Sequence, residues 1–345
     1  MGIEYTSVQW NRQKKYYDFA LLGGVALFLI VFASLTKHCF PFVTDEILII
    51  HTFGVAAFVL LHIILCIGPL CRLNPKFLPL LYNRRHAGVT CFLLALVHAV
   101  LVVATYHAGG DTNPISSIFV SSPLTGSVAG VPFQPFGFFA LIILFLLAAT
   151  SHDFWLANLS APVWKSLHML AYVAYALLVL HVTFGALQGE ASPVYVIAMT
   201  VGFVTVLALH IMAARNEIAL DHEVKSPAND DFLDAGAVAD IPENRARIVC
   251  LSGERVAIFK YEGKVSAVSN VCQHQNGPLG EGKVLSGCIT CPWHGYQYVP
   301  ETGASPPPFV EKVPTFNVRV TNGRVYIHPK PNPAGTKAEP ALIEK

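Results

Sequence analysis

Long apolar runs separated by short polar connections fill roughly the first 214 positions, and short alternating runs take over afterwards. Six long runs have about the length an α-helix needs to cross a hydrocarbon core of roughly 30 Å at about 1.5 Å per residue. They are Tyr17 to Thr36, Ile47 to Leu70, His86 to Thr105, Phe136 to Ser151, Leu167 to Leu187 and Val194 to Ala214. The first exceeds a signal-peptide core and lacks a convincing small-x-small cleavage site, so it reads as a retained span. From Ile241 to Pro329 the chain shows runs such as Arg247-Ile248-Val249-Cys250-Leu251, Val256-Ala257-Ile258-Phe259 and Asn317-Val318-Arg319-Val320, punctuated by glycine and proline. That is the pattern of a small all-β domain.

These patterns predict a multi-domain chain, an all-α six-helix transmembrane bundle followed by a small all-β domain. Residues 1–16 form an N-terminal segment, 17–214 the membrane domain, 215–240 an acidic linker and 241–330 the β domain. Residues 331–345, rich in Pro, Ala, Lys and Glu, read as a disordered tail.

Composition agrees: 53% of the 345 residues are hydrophobic and 13% charged, too apolar for an ordinary soluble enzyme. A net charge of +1 leaves no basic surface for nucleic acid. Positive residues set the orientation. Arg12, Lys14 and Lys15 precede the first run, Arg72, Lys76, Arg84 and Arg85 fill the second connection, Lys165 lies in the fourth, and Arg215 follows the sixth. The odd connections carry only Lys37. Both termini and the β domain are therefore expected on the cytoplasmic side of a multi-pass cell (inner) membrane protein.

Of the eight cysteines, Cys39, Cys66, Cys71 and Cys91 lie in or beside apolar runs and read as small hydrophobes. The chemistry concentrates in Cys272-Gln273-His274 and Cys291-Pro292-Trp293-His294-Gly295. Two Cys and two His can hold a tetrahedral zinc or a [2Fe-2S] cluster with thiolates on one iron and imidazoles on the other. Zinc fingers commonly pair cysteines in Cys-x-x-Cys knuckles, whereas one Cys and one His on each of two loops resembles the Rieske arrangement. The resemblance covers residues 241–329, with Gly287 and the Pro306-Pro307-Pro308 stretch. It implies Cys272 and Cys291 as thiolate ligands, and His274 and His294 as imidazole ligands. Respiratory Rieske proteins carry an extra disulfide where this chain has Gly277 and Trp293, and a serine where it has Tyr296. The chain thus resembles the ferredoxin and oxygenase type, with Tyr298 as a remaining hydroxyl partner and an expected potential in the lower half of the Rieske range. Cys288 reads as a buried strand residue.

Histidines inside spans are costly and mark function. His86 and His98 lie on the third run, His168 and His181 on the fifth. Separations of twelve and thirteen residues correspond to rises of about 18 and 20 Å, suited to two stacked b-type hemes. Rotation by 100° per residue leaves His86 about 120° from His98, so His86 fits that scheme least well. Arg84-Arg85-His86-Ala87-Gly88 with His98, and Trp164-Lys165-Ser166-Leu167-His168 with Tyr172 and His181, resemble the ferric reductase-like transmembrane domain over residues 47–214. The resemblance implies one or two b-type hemes held by these four histidines. His51 and His62 read as packing or hydrogen-bonding residues, and His107 with Asp111 as an interface loop.

Together the two resemblances imply a transmembrane electron-transfer oxidoreductase, passing electrons from a cytoplasmic cluster through heme to ferric iron, oxygen or a periplasmic redox protein. The chain has no Gly-x-Gly-x-x-Gly fingerprint, so a separate cytoplasmic reductase or a quinol is the expected donor. The alternative is a membrane-anchored Rieske ferredoxin-like module serving a soluble partner without transmembrane electron flow. Anchorage needs only one span, and six with stacked histidines exceed it.

Overall fold

The computed structural model describes residues 12–81, 83–120, 132–152, 155, 159, 161–189, 193–220, 231–274, 277–292 and 295–343. Packing divides the chain into two compact units, one built on 12–71 and 83–211, the other containing 72–82 and the described residues from 212 onward.

The first unit is helical. Its main elements are α1 (Arg12–Cys39), α2 (Asp45–Leu73), α3 (Arg84–Val102), α4 (Gln134–Ala149), α5 (Ala161–Phe184) and α6 (Pro193–Leu220). Among the described residues five spans are long and apolar enough to cross a membrane, the third being α3 continued by a π-helical turn, Val103–His107. α4 is apolar throughout but has 16 residues, a rise of about 24 Å that falls short of the hydrocarbon core. The six expected runs are thus five full spans and one short helix. Asp45 and Glu46 favour the start of α2 by facing its positive dipole end, and proline follows the first residue of α4, where a missing N–H costs nothing. Ala56, Ala57, Leu60, Leu61 and Leu65 of α2 meet Cys91 and Leu94 of α3, Tyr175 of α5 and Val206 of α6 in the core, with Leu21, Val25 and Phe28 of α1 against it. Outward faces stay apolar, Phe19 being 80% and Ile30 65% exposed, which water would penalise and lipid does not.

The second unit contains the β domain, with β1 (Leu233–Ala237), β2 (Arg245–Leu251), β3 (Glu254–Tyr261), β4 (Lys264–Ser269), β5 (Lys283–Leu285), β6 (Cys288–Thr290), β7 (Gln297–Tyr298), β8 (Thr315–Phe316), β9 (Val318–Thr321), β10 (Arg324–Ile327) and β11 (Ala341–Leu342). Three antiparallel sheets run β1-β10-β9, β11-β4-β3-β2 with β8 on β4, and β5-β6-β7. Four hairpins close through Ser252-Gly253, Glu262-Gly263, Ser286-Gly287 and Asn322-Gly323, both residues of each pair at positive φ. Such turns match strand twist, and glycine takes the second position without strain. One apolar core, including Val256, Ile258, Val265, Phe316 and Ile327, packs between sheets. A second, including Phe259, Val268, Leu279 and Ile289, encloses Cys272 and Cys291.

Ordered elements cross the expected boundaries. Helix begins at Arg12, inside the expected N-terminal segment, and α6 runs to Leu220, inside the expected linker. The end of that linker is β1 and the Val238–Asp240 turn: Leu233, Ala235 and Val238 are buried, and β1 pairs with β10. Residues 221–230 of the linker lie outside the described residues. The expected disordered tail is ordered over 331–343, where β11 pairs with β4, the Thr315 hydroxyl donates to the Thr336 carbonyl, and Ala338 is buried. Low hydrophobicity does not bar order when an existing sheet edge supplies the partner.

Candidate redox centres

Two loops of the β domain carry the motif cysteines. The first leaves β4 and is pinched by a bridge between Val271 and Pro278, with Cys272 N donating to Gly277 O at 2.9 Å. The second joins β6 to β7: Cys291 N donates to Tyr296 O at 2.8 Å and Gly295 N to Cys291 O at 2.9 Å, Gly295 taking φ 74°. Each loop is closed on its cysteine, so both thiols are held by backbone. Both are buried.

Tyr298 on β7 stands behind them. Its hydroxyl accepts from Gln273 N at 3.0 Å and lies 3.4 Å from Cys272 Sγ. Burial, then the neighbouring Cys272 and Cys291, push its pKa upward, so it keeps its proton and can donate to sulfur. The His274 ring stacks on Tyr296 with centroids 4.6 Å apart and planes 7° apart, and its Nδ1 is closed to solvent. The Tyr296 hydroxyl donates to Glu311, whose carboxylate also accepts from Val310 N, and Phe309 packs edge-on against Tyr296. Cys288 pairs with Leu285 in the β5-β6 hairpin, and burial pushes its thiol up to about 11. Trp293 and His294 lie outside the described residues. Two buried thiols on backbone-closed loops, a hydroxyl aimed at one sulfur and a clamped imidazole fit a sulfur-rich metal cluster with thiolate and imidazole ligands.

In the helical unit, His98 of α3 bonds through Nδ1 to the Ile50 carbonyl at 2.8 Å, and His181 of α5 through Nδ1 to the Phe133 carbonyl at 3.0 Å. Both rings must carry the proton on Nδ1, because a carbonyl only accepts. Each Nε2 is left bare, with no hydrogen-bond partner among the described residues. Glycines make the room: a Cβ on Gly54 would stand 2.8 Å from His98, and one on Gly137 2.8 Å from His181. This is the arrangement of metal-ligating imidazole, one nitrogen anchored and the other open.

His168 and His86 are placed differently. His168 Nδ1 lies 3.1 Å from the Trp164 carbonyl, its Nε2 lies 3.5 Å from Ser151 Oγ, and its ring stacks on Trp164 at 3.8 Å. His86 turns its Nδ1 to Asp18 of α1, 2.9 Å from both carboxylate oxygens, and Asn83 donates to the same carboxylate. No contact described joins His86 to His168. His62 Nε2 meets the Tyr175 hydroxyl at 3.0 Å, and His210 meets that of Tyr172 at 3.1 Å.

Residues 231–317 match the family described as Rieske [2Fe-2S] domain, and residues 53–179 match the ferric reductase like transmembrane component. The ferredoxin component of the naphthalene 1,2-dioxygenase/salicylate 5-hydroxylase systems of Ralstonia sp is 30% identical over 98 residues, which are 28% of this chain and 94% of that protein. The chain belongs to the Rieske [2Fe-2S] family, fused behind a ferric reductase-like transmembrane domain.

The Rieske part is also 39% identical over 96 residues to cholesterol 7-desaturase nvd of Xenopus laevis, covering 25% of this chain and a fifth (21%) of that one. Among solved structures, Sphingomonas yanoikuyae B1 ferredoxin shows 27% identity and a TM-score of 0.26, over 28% of this chain and 97% of that protein. The fusion is a multi-pass membrane protein with electron-transfer domains. Its Rieske match holds all four motif residues and starts ten residues before the expected boundary at 241. His98, His168 and His86 fall inside the ferric reductase-like match, and His181 lies just past it. Asp18, Glu311 and the carbonyls of Ile50 and Phe133 escaped the sequence reading. A carbonyl carries no residue signature, and the two carboxylates lie far from their partners in the chain.

Proposed function

We propose that the fusion is a transmembrane electron-transfer oxidoreductase, in which a cytoplasmic [2Fe-2S] cluster and one or two b-type hemes supply one-electron exchange between a cytoplasmic donor and an acceptor beyond the membrane. The observation that carries the reading is the His98 and His181 pair: two imidazoles on different spans, each anchored through Nδ1, each open at Nε2 and each seated beside a glycine. A purely anchoring bundle needs no such pair. Cys272, Cys291, His274 and His294 hold the cluster, Tyr298 steadies the Cys272 thiolate, and Tyr296 with Glu311 fixes the plane of His274. Where the bundle takes a second, inner heme, His168 and His86 would hold it, with Asp18 orienting His86. The donor is a separate cytoplasmic reductase, or a quinol in its place.

Quantifying iron, acid-labile sulfide and heme on purified protein, with optical and paramagnetic resonance titration of the same sample, tests this. One [2Fe-2S] cluster with one or two bis-imidazole hemes is expected. A cluster without heme would reduce the bundle to an anchor.

A further inference from the structure

His107 ends the third span, on the π-helical turn that continues α3. Its side chain is buried, the residue being 5% exposed, and its Nε2 has no hydrogen-bond partner among the described residues. An orphaned polar atom in a buried place costs about 1–3 kcal/mol, and π-turns recur at functional sites.

The hydrogen bonds around it fix its tautomer. Ser117 Oγ lies 2.8 Å from the Pro114 carbonyl and 2.5 Å from His107 Nδ1. The serine has one proton and the carbonyl can only accept, so that proton goes to Pro114. Its oxygen then accepts from His107 Nδ1–H, which leaves a lone pair at Nε2. Ser117 is itself held, because Asn113 caps its short turn by accepting from Ile115 N at 2.9 Å and Ser116 N at 3.4 Å. The imidazole is thus set as a neutral hydrogen-bond acceptor.

Its surroundings narrow what it can accept from. Among the described residues no two further His, Cys, Asp or Glu side chains gather with His107, so a cation at this lone imidazole would be buried without compensating charge. A neutral donor fits instead. The segment covering His107 is apolar on its outside: Ile115, Phe119 and Val120 are exposed, as is Tyr106 beside His107, and Phe119 packs on Phe138 and Phe139 of α4. Such a surface meets lipid better than water, which points to a ligand that arrives through the membrane. His107 lies nine residues, or about 13 Å of rise, past His98, at the end of the span away from Arg84 and Arg85.

We propose that this end of the third span binds a lipophilic quinol, with His107 Nε2 accepting a hydrogen bond from the quinol hydroxyl. The inference rests on the electron-transfer reading and names its external acceptor as a membrane quinone, the quinol bound here being the product left once that quinone has taken two electrons from the chain of carriers and two protons from the solvent.

Equilibrium dialysis of the full-length, heme-loaded protein in detergent against decylubiquinol and against its dimethyl ether isolates the hydroxyl. The unmodified protein should bind the quinol about tenfold more tightly than the ether, and His107→Ala should erase the preference with the heme spectrum unchanged. Equal affinities in the unmodified protein, or a preference that survives in His107→Ala, would overturn the assignment. The unmodified comparison decides even if the variant misfolds. Heme content, measured on the same sample, reports separately on the electron-transfer reading.

Discussion

At the scale of single residues, the Rieske site turns on where two protons reside. Tyr298 keeps its proton because burial and the neighbouring thiols oppose ionisation, so the hydroxyl can donate to Cys272 Sγ. A hydrogen bond to sulfur stabilises the more negative, reduced cluster and raises its potential. Tyr298→Phe removes that bond and keeps the ring that fills the core. The midpoint potential, read from a redox titration of the cluster's paramagnetic resonance signal, should fall by tens of millivolts, about 59 mV for each tenfold change in equilibrium. Cys288 keeps its proton for burial alone, its thiol pushed from 9.0 to about 11. The folded domain therefore holds this proton more tightly than the unfolded chain does. Its contribution, about 2–3 kcal/mol at most, is full below pH 9 and is lost as the pH climbs towards 11. Denaturant midpoints across that window should decline more steeply for the unmodified protein than for Cys288→Ala; parallel declines would assign the loss to other groups.

At the scale of elements, the tail shows most clearly what sequence carries and what it does not. Residues 331–343 have neither a long apolar run nor an alternating one, yet β11 adds Ala341 and Leu342 to the edge of β4, and Ile343 packs against the core. The signal lies in β4, which has an edge to be paired, and a local reading of the tail cannot see it. Truncation after Lys330 should uncover that edge and remove the buried Ala338. A loss of about 1 kcal/mol would lower the thermal midpoint of cluster bleaching by roughly 4–8 °C for a domain of this size. An unchanged midpoint would show that β11 contributes no stability. The apolar spans were legible for the opposite reason, since bilayer thickness fixes their length from outside the protein. The Rieske family was legible as well, because its motif restricts residue type and spacing. What held His98 and His181 was not, since their partners are carbonyls 48 positions away in the chain.

At the scale of the whole molecule, two units with separate cores should lose their centres separately. The proposed cluster site draws on Cys272, Cys291, Tyr296 and Tyr298 within the β domain's own core, while His98 and His181 draw on one carbonyl within α2 and one just before α4. His274→Ala should therefore abolish the Rieske paramagnetic resonance signal and leave heme absorption intact. His181→Ala should remove one low-spin heme and leave the cluster signal intact. If the proposed line of carriers is continuous, both variants fail in the same functional measurement despite their opposite spectra. In proteoliposomes with a reductant for the Rieske domain on one side and an impermeant acceptor trapped on the other, the unmodified protein should reduce the acceptor, and each variant should fall at least a hundredfold. Equal rates for the unmodified protein and His181→Ala would show that electrons bypass the histidine pair. Loss of the cluster in His181→Ala would show instead that the units do not fold apart, and the spectral assignments could not then be read independently.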